Sequence, residues 1–529
     1  MKINWVKYVF IVFAIAILIF AIVKIRKDEK EEKQIQISKE ETVQEKNTNL
    51  SLGIAEFDTI NPILSNNKNV QDITKIIYEP LVNITKDYKA EKGLAVEWAK
   101  QDSNNYLIKL RENVKWSDGS KFTAYDVKYT IDRLKEIQSI YSYNVQYVTG
   151  LEIVDDYTVK IVLEKEIPFF EYYLTFPIMS SDYFENENFE DTAKNAKPIG
   201  TGMYEIQEVE SNYITLIPNK NWWNLGEKTL TLDKITINLY ESVGELYNGF
   251  KMGNIDLIST SNTNIQNYIG TIGYNQKEIK GREHCFIAFN TENYLLSNID
   301  IRKAIAHSID RNNIISSIYG GNYYTTKFPL DFGTWIYQEQ DSGDIYNLDE
   351  AKQILVDGGW DYRYRYWQKY ENYRTQRISL NLVVKASDEN KVRVAENVKE
   401  QLENQGIRIN LIKASDNQYE NYLTYKNYDM ILCTTYLSAN PTLERYFGDD
   451  NLAKFGSEEI TNLMNEVKNT TDENKIKEDY KRLAQIYIED MPYFSLFTSK
   501  YTIAYNSALA GEINSNWYNL FYNIESWYK

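Results

Sequence analysis

The chain predicts an α/β fold in more than one lobe, preceded by an N-terminal membrane helix. Three observations carry this. With 529 residues and 43% hydrophobic side chains, the chain is too long for one simple core and apolar enough for two or three lobes. Residues 380–412 alternate strand, helix and strand, and strand-turn-helix patterns occur upstream. Tyr8 to Val23 is an uninterrupted run of 16 apolar residues.

That run, YVFIVFAIAILIFAIV, follows a short segment carrying Lys2 and Lys7 and reads as membrane-targeting, with Trp5 and Val6 extending it toward spanning length. No small-x-small pair follows it and no cysteine stands there to take a lipid. An uncleaved anchor is therefore expected over a removed signal. Its flanking charges do not orient it, because Lys24, Arg26 and Lys27 outnumber Lys2 and Lys7. Lys24 to Asn49 is charged and polar without apolar periodicity, which reads as a solvated tether.

The folded body begins near Leu50, with a strand at Ser51 to Ile54 and a turn at Asn61-Pro62. Val114 to Leu134, VKWSDGSKFTAYDVKYTIDRL, is the clearest stretch: Asp118-Gly119 is a tight turn, and Thr123 opens a helix with Val127, Ile131 and Leu134 on one face. Tyr106 to Leu110 alternates as a half-buried strand does, and Asp155-Asp156 turns into the β-branched run Thr158 to Leu163. A helix is expected over Ile301 to Ile309. From Leu380 the pattern is a strand to Val384, a cap at Ser387, a helical face of Val392, Ala395, Val398 and Leu402, a stop at Gly406 and a strand from Ile407 to Ile412. Its two strands should pair in parallel. Tyr428 to Leu432 would add a third strand ending at Cys433. Asp361 to Arg377, DYRYRYWQKYENYRTQR, reads as a surface insertion.

A net charge of −16 argues against nucleic acid or an anionic membrane surface as the main partner, since both would be repelled. Cys285 and Cys433 lie far apart in apolar runs and read as small buried thiols, with no disulfide framework. Only two histidines exist, His284 and His307, which removes most His-dependent triads and the usual zinc sites. With no G-x-S-x-G elbow either, neither an enzyme, a cofactor nor a metal is expected.

Several runs occur in one order: IYEPL at 77–81, LAVEW at 94–98, WSDGSKFTAYDV at 116–127, PIGTGMY at 198–204, NKNWW at 219–223, FIAFNT at 286–291 and IRKAIAHSIDR at 301–311. Together they resemble the large solute-binding proteins of the oligopeptide and dipeptide ABC transporters, family 5, over about residues 50 to 529. The resemblance implies a periplasmic-binding-protein-like, two-lobed α/β fold with an extra sub-lobe. In this chain it would comprise an anchor or signal (1–25), a tether (26–49), lobe I (50–77 and 191–275), a lobe I sub-domain (78–190), lobe II (276–490) and a return to lobe I (491–529). It further implies a monomer on the extracellular side of the membrane, taking up a peptide or other small solute and delivering it to an ABC permease.

The same resemblance implies ligand-binding residues. They are Asn66 and Lys68 in the loop after Asn61-Pro62, Tyr143 and Tyr147 from the sub-lobe, and Cys433, through its backbone, with Thr434. One departure stands out. Aligned on Asn440-Pro441, Leu437 occupies the position of the aspartate that pairs with a peptide's α-ammonium, so the usual N-terminus clamp is missing. Glu444 and Asp58 are the nearby carboxylates that would replace it. A ligand without a free amine, such as a glycan or a metal chelate, is the alternative, as is a non-transport sensor or scaffold on the same fold.

Overall fold

The computed structural model describes Lys24 and residues 48–529, apart from 262–264, 270–272, 339–342 and 372. The anchor expected over 1–25 and the tether over 26–49 lie outside the described residues, save Lys24, Thr48 and Asn49. Among the described residues no helix is long and apolar enough to cross a membrane.

Lobe I opens with the strand Asn49–Ala55, whose Leu50, Leu52 and Ile54 are buried at period two. It runs parallel to Lys234–Tyr240, and Tyr213–Pro218 and Tyr204–Val209 complete a four-stranded sheet. A second four-stranded sheet, from Ala95–Lys100, Asn105–Leu110, Thr158–Leu163 and Val148–Asp155, forms the sub-lobe. The helix Ala124–Glu136 follows the Asp118-Gly119 turn and is held by a capping box. The Tyr125 N–H donates to the Thr123 hydroxyl at 3.3 Å, and the Thr123 N–H donates to the Asp126 carboxylate at 2.8 Å. Val127, Ile131 and Leu134 form its buried face.

The sequence runs of this half meet in one knot. The Gly202 N–H donates to the Ile77 carbonyl at 2.8 Å, and the Ser117 N–H donates to the Gly200 carbonyl at 2.9 Å. A Cβ on Gly200 would lie 1.9 Å from the Ile77 oxygen, so glycine alone fits there. Beside it, Glu79 accepts from the indole N–H groups of Trp222 and Trp223 at 3.2 and 3.1 Å, while Arg111 stacks 3.8 Å from the Trp223 ring centre.

A larger sheet follows the order Leu257–Thr260, Tyr493–Asn506, Tyr274–Phe289, Met430–Tyr436, Ser379–Lys385, Arg408–Ala414, with Tyr323–Thr325 also on Tyr493–Asn506. Tyr274–Phe289 and Tyr493–Asn506 are 16 and 14 residues long and pair antiparallel. Tyr501 and Ile503 pack in the lobe I core, whereas Phe494, Leu496 and Phe497 pack in lobe II, so these strands cross between the lobes. Lobe II is apolar on both faces of its sheet: Ile287, Leu380 and Leu382 meet the helices Ile299–His307 and Glu389–Asn404, and Phe286 and Ile431 meet Glu473–Glu489.

Ser379–Lys385 and Arg408–Ala414 pair in parallel around Glu389–Asn404, as the pattern from residue 380 predicts. Three boundaries differ. The helix cap is Asp388, which accepts from the Lys391 N–H at 3.1 Å, because the Ser387 hydroxyl is taken by Asp416 at 2.6 Å. The third strand is Met430–Tyr436 and not Tyr428 to Leu432. Tyr428 turns into the core to donate to the Leu452 carbonyl, and pairing with the crossing strand runs on to Tyr436. The helix expected to Ile309 stops at His307, because Asp310 caps the next helix, Arg311–Tyr319, by accepting from the Asn313 N–H at 2.9 Å. Residues 361–377 form an antiparallel sheet of Asp361–Arg363, Tyr366–Glu371 and Arg374–Arg377, mostly exposed, with Trp367 buried beneath it.

Candidate ligand site between the lobes

A cavity of about 760 Å³ lies between the sub-lobe and lobe II. That is within the range of small-molecule sites. On the sub-lobe side stand Tyr143, Tyr147 and Tyr173. The Tyr143 and Tyr173 rings stack at 5.5 Å with their hydroxyls 3.2 Å apart, and Tyr147 meets Tyr173 edge-on at 6.3 Å. The Lys165 ammonium sits 4.6 Å over the Tyr147 ring. Each tyrosine of this wall thus packs on an aromatic neighbour.

The facing wall is the end of Met430–Tyr436 and the loop after it, with Tyr436, Leu437, Ser438, Asn440 and Glu444 at the cavity. The strand pairs with Tyr274–Phe289 along its whole length, but with Ser379–Lys385 only at Met430 and Ile431. From Leu432 onward no strand of the described residues pairs with its second edge, and the Leu432 carbonyl there accepts from the Tyr419 hydroxyl at 2.8 Å. A partly unpaired strand edge thus opens on the cavity.

The two sides touch around it. Glu166 pairs with Lys468 at 3.0 Å and Lys89 with Glu473 at 2.6 Å. The Trp335 N–H donates to the Asp87 carbonyl at 2.7 Å, and its indole N–H donates to the Tyr172 hydroxyl at 2.9 Å. These contacts join the sub-lobe to lobe II beside the cavity.

Of the residues singled out from sequence, Tyr143, Tyr147 and Leu437 line this cavity. Thr434 and Cys433 lie on the same strand, one and two positions inward from the lining Thr435, and the Cys433 sulfur is buried against the Tyr419 hydroxyl at 3.5 Å. Asn66 and Lys68 are not part of the lining. Asn66 is exposed and its N–H donates to Asp58 at 3.2 Å; Lys68 pairs with Asp72 one turn on and lies 5.2 Å from the Trp517 ring centre. Glu444 lines the cavity, whereas Asp58 is occupied in its own loop by the Ser65 hydroxyl at 2.7 Å.

Sequence reasoning missed Tyr173, Tyr436 and a cluster around Arg282. The aromatic run FFEYYL at 169–174 was the signal for the first. Arg282 lies where the crossing strand loses regular register, between Lys280 and His284.

Both cysteines are free and buried, and burial pushes the Cys285 thiol up to about 12 and Cys433 to about 11, so neither is a ready nucleophile. His284 is buried between the Tyr446 and Ser495 hydroxyls, each at 3.0 Å, and burial lowers it to about 3. Among the described residues no three His, Cys, Asp or Glu side chains are grouped to hold a metal.

Two lobes joined by crossing strands with a cavity between them are the architecture of a solute-binding protein. The chain belongs to the bacterial extracellular solute-binding proteins, family 5, whose middle region matches residues 89–452. These are the substrate-binding components of ABC importers, and the relatives are transport proteins. Heme-binding protein A of Haemophilus influenzae is 24% identical over 492 residues, covering 85% of this chain and 86% of the relative. The oligopeptide-binding protein AppA of Bacillus subtilis is 24% identical over 504 residues, covering 90% of each. The structure of HbpA2 from Haemophilus parasuis superposes with a TM-score of 0.72 at 20% identity, over 90% of this chain and 99% of that one, and shares the fold.

Proposed function

We propose that this protein captures an oligopeptide between its lobes and delivers it to an ABC permease, with residues 1–25 tethering the body to the extracellular face of the membrane. The observation that supports a peptide is the open edge of Met430–Tyr436 on the cavity. An extended peptide meets such an edge with main-chain hydrogen bonds, as if adding a strand, and its side chains need not be specified closely. In this reading Tyr143 and Tyr147 form the opposite wall, while Thr434 and the Cys433 backbone continue the edge inward. Asn66 and Lys68 approach from lobe I. Leu437 offers no carboxylate to an α-ammonium, and Glu444, on the same wall, takes that part. The protein acts as a monomer and binds no nucleic acid.

The tyrosine wall favours a second reading, a non-peptide solute such as a glycan or a metal chelate stacked on Tyr143, Tyr147 or Tyr436. Native mass spectrometry of residues 49–529, purified without refolding, separates the two. A ladder of peptide masses supports the first reading, and a single non-peptide mass the second. An empty protein that gives no thermal shift with peptide mixtures points to a sensor or scaffold.

A further inference from the structure

Three arginines are buried in the described residues, Arg282, Arg302 and Arg311. Two of them spend their guanidinium donors on main-chain carbonyls. Arg302 donates to Leu296 at 2.6 Å and Met491 at 3.1 Å, and Arg311 to Thr326 at 2.7 Å and Ser495 at 2.9 Å. Arg282 differs. It is 2% exposed and its Nε donates to the Leu437 carbonyl at 2.5 Å, while among the described residues Nη1 and Nη2 reach no carbonyl or carboxylate and have only the Tyr88 phenol beside them.

The guanidinium lies among rings. Its carbon is 3.9 Å from the centre of Phe332, 5.2 Å from Tyr88 and 5.9 Å from Trp517. Tyr88 faces it with a neutral phenol, and burial lowers the arginine only to about 10, so the charge persists at neutral pH. Among the described residues no carboxylate forms an ion pair with it. Lys68 adds a second cation on Trp517, at 5.2 Å.

Those rings come from different parts of the molecule. Tyr88 belongs to the sub-lobe, Trp517 to the C-terminal return and Phe332 to the lobe II side, so the guanidinium lies where these three parts of the molecule meet. The Leu437 N–H also donates to the Arg282 carbonyl at 2.8 Å, which ties the arginine to the cavity wall at Leu437. A buried charge without a counter-charge is costly. The terminal N–H donors of this rigid fork, which meet a neutral phenol and no counter-charge, match a carboxylate or other oxyanion.

We infer that Arg282 is the receptor for an anionic group of the ligand, a carboxylate held bidentately at the Leu437 end of the cleft. This rests on the solute-binding reading and narrows it to solutes that carry a negative group. For a peptide the source is its C-terminus or an acidic side chain. Leu437 and Arg282 then act together, since an aspartate at 437 would repel such a group.

The test uses the full chain in detergent with small carboxylates as probes. Acetate, succinate and citrate are titrated against chloride at constant ionic strength, and the melting temperature is followed. Wild type is expected to gain several degrees with a carboxylate, Arg282→Gln to lose that response, and Arg282→Lys, which keeps charge but not the fork, to retain a weakened one. Equal responses in all three proteins overturn the inference. Because the replaced charge is unpaired, the ligand-free Arg282→Gln protein is expected to melt no lower than wild type. A second experiment compares peptide pools with free and amidated C-termini. A tenfold preference for the free acid that disappears in Arg282→Gln assigns the group to the C-terminus. A preference retained in that variant places the anion elsewhere and overturns the inference. Failure of both pools to bind, with the carboxylate response intact, overturns the peptide reading alone.

Discussion

Glu79 shows how a side chain remote from the ligand controls stability. Burial raises its pKa from the usual 4.5 to about 7, against the opposing hydrogen bonds of Trp222, Trp223 and Thr201 and the charge of Arg111. A raised pKa in the fold means that the native state holds the proton more tightly than the unfolded chain. The contribution is complete below pH 4.5 and is lost as the pH rises through 7. Glu79→Gln keeps the shape of the protonated acid. It is expected to match wild type at pH 5 and to exceed it by about 2 kcal/mol at pH 8, in chemical denaturation at the two pH values. A difference that does not change with pH would mean the carboxylate is ionised in the fold throughout. Gly200, in the same knot, tests sterics instead of charge. Its missing Cβ would meet the Ile77 main chain, whereas a Cβ on Gly226 meets nothing within 4 Å. Gly200→Ala is expected to cost more than about 3 kcal/mol by thermal unfolding and Gly226→Ala less than about 0.5.

At the scale of elements, the sheet over residues 361–377 hangs on one side chain. Trp367 is 4% exposed, joins the lobe II core and donates its indole N–H to the Gln405 carbonyl at 2.7 Å, while Tyr373 is 94% exposed. Trp367→Ala is expected to cost about 3 kcal/mol in urea unfolding and Tyr373→Ala almost nothing. Elements of this kind differ in how far the sequence reveals them. The helix after Thr123 was legible because its cap, its N3 acid and its apolar face are all written within a dozen residues. The extent of Met430–Tyr436 was not, since its last residues are extended only by pairing with Glu283 and His284 far upstream. The site divides in the same way. Tyr143, Tyr147 and Leu437 were legible through resemblance to a family, whereas the Arg282 cluster joins rings at 88, 332 and 517, a contact that no local pattern encodes.

For the whole molecule the question is what holds the lobes shut. Among the described residues two ion pairs span them, Lys89 with Glu473 and Glu166 with Lys468, and all four side chains keep some exposure to solvent. Each is worth at most about 1 kcal/mol and is weakened by salt. Trp335 makes the stronger link. Its backbone and indole N–H groups both reach the sub-lobe, and the Tyr172 hydroxyl that accepts from the indole donates in turn to the Tyr88 carbonyl at 2.9 Å, beside Arg282. Trp335 is 7% exposed, so trimming it removes buried area and the indole bond together. Trp335→Ala is expected to weaken the closed state by about 3 kcal/mol, whereas raising the salt changes closure little. Small-angle scattering of the ligand-free variant should then give a larger radius of gyration than wild type, falling back when ligand is added. Apparent affinity should drop in proportion to the lost closed fraction. If the radius stays at the wild-type value, closure is held by the crossing strands Tyr274–Phe289 and Tyr493–Asn506 themselves, and Trp335 merely rests against a lobe already in place.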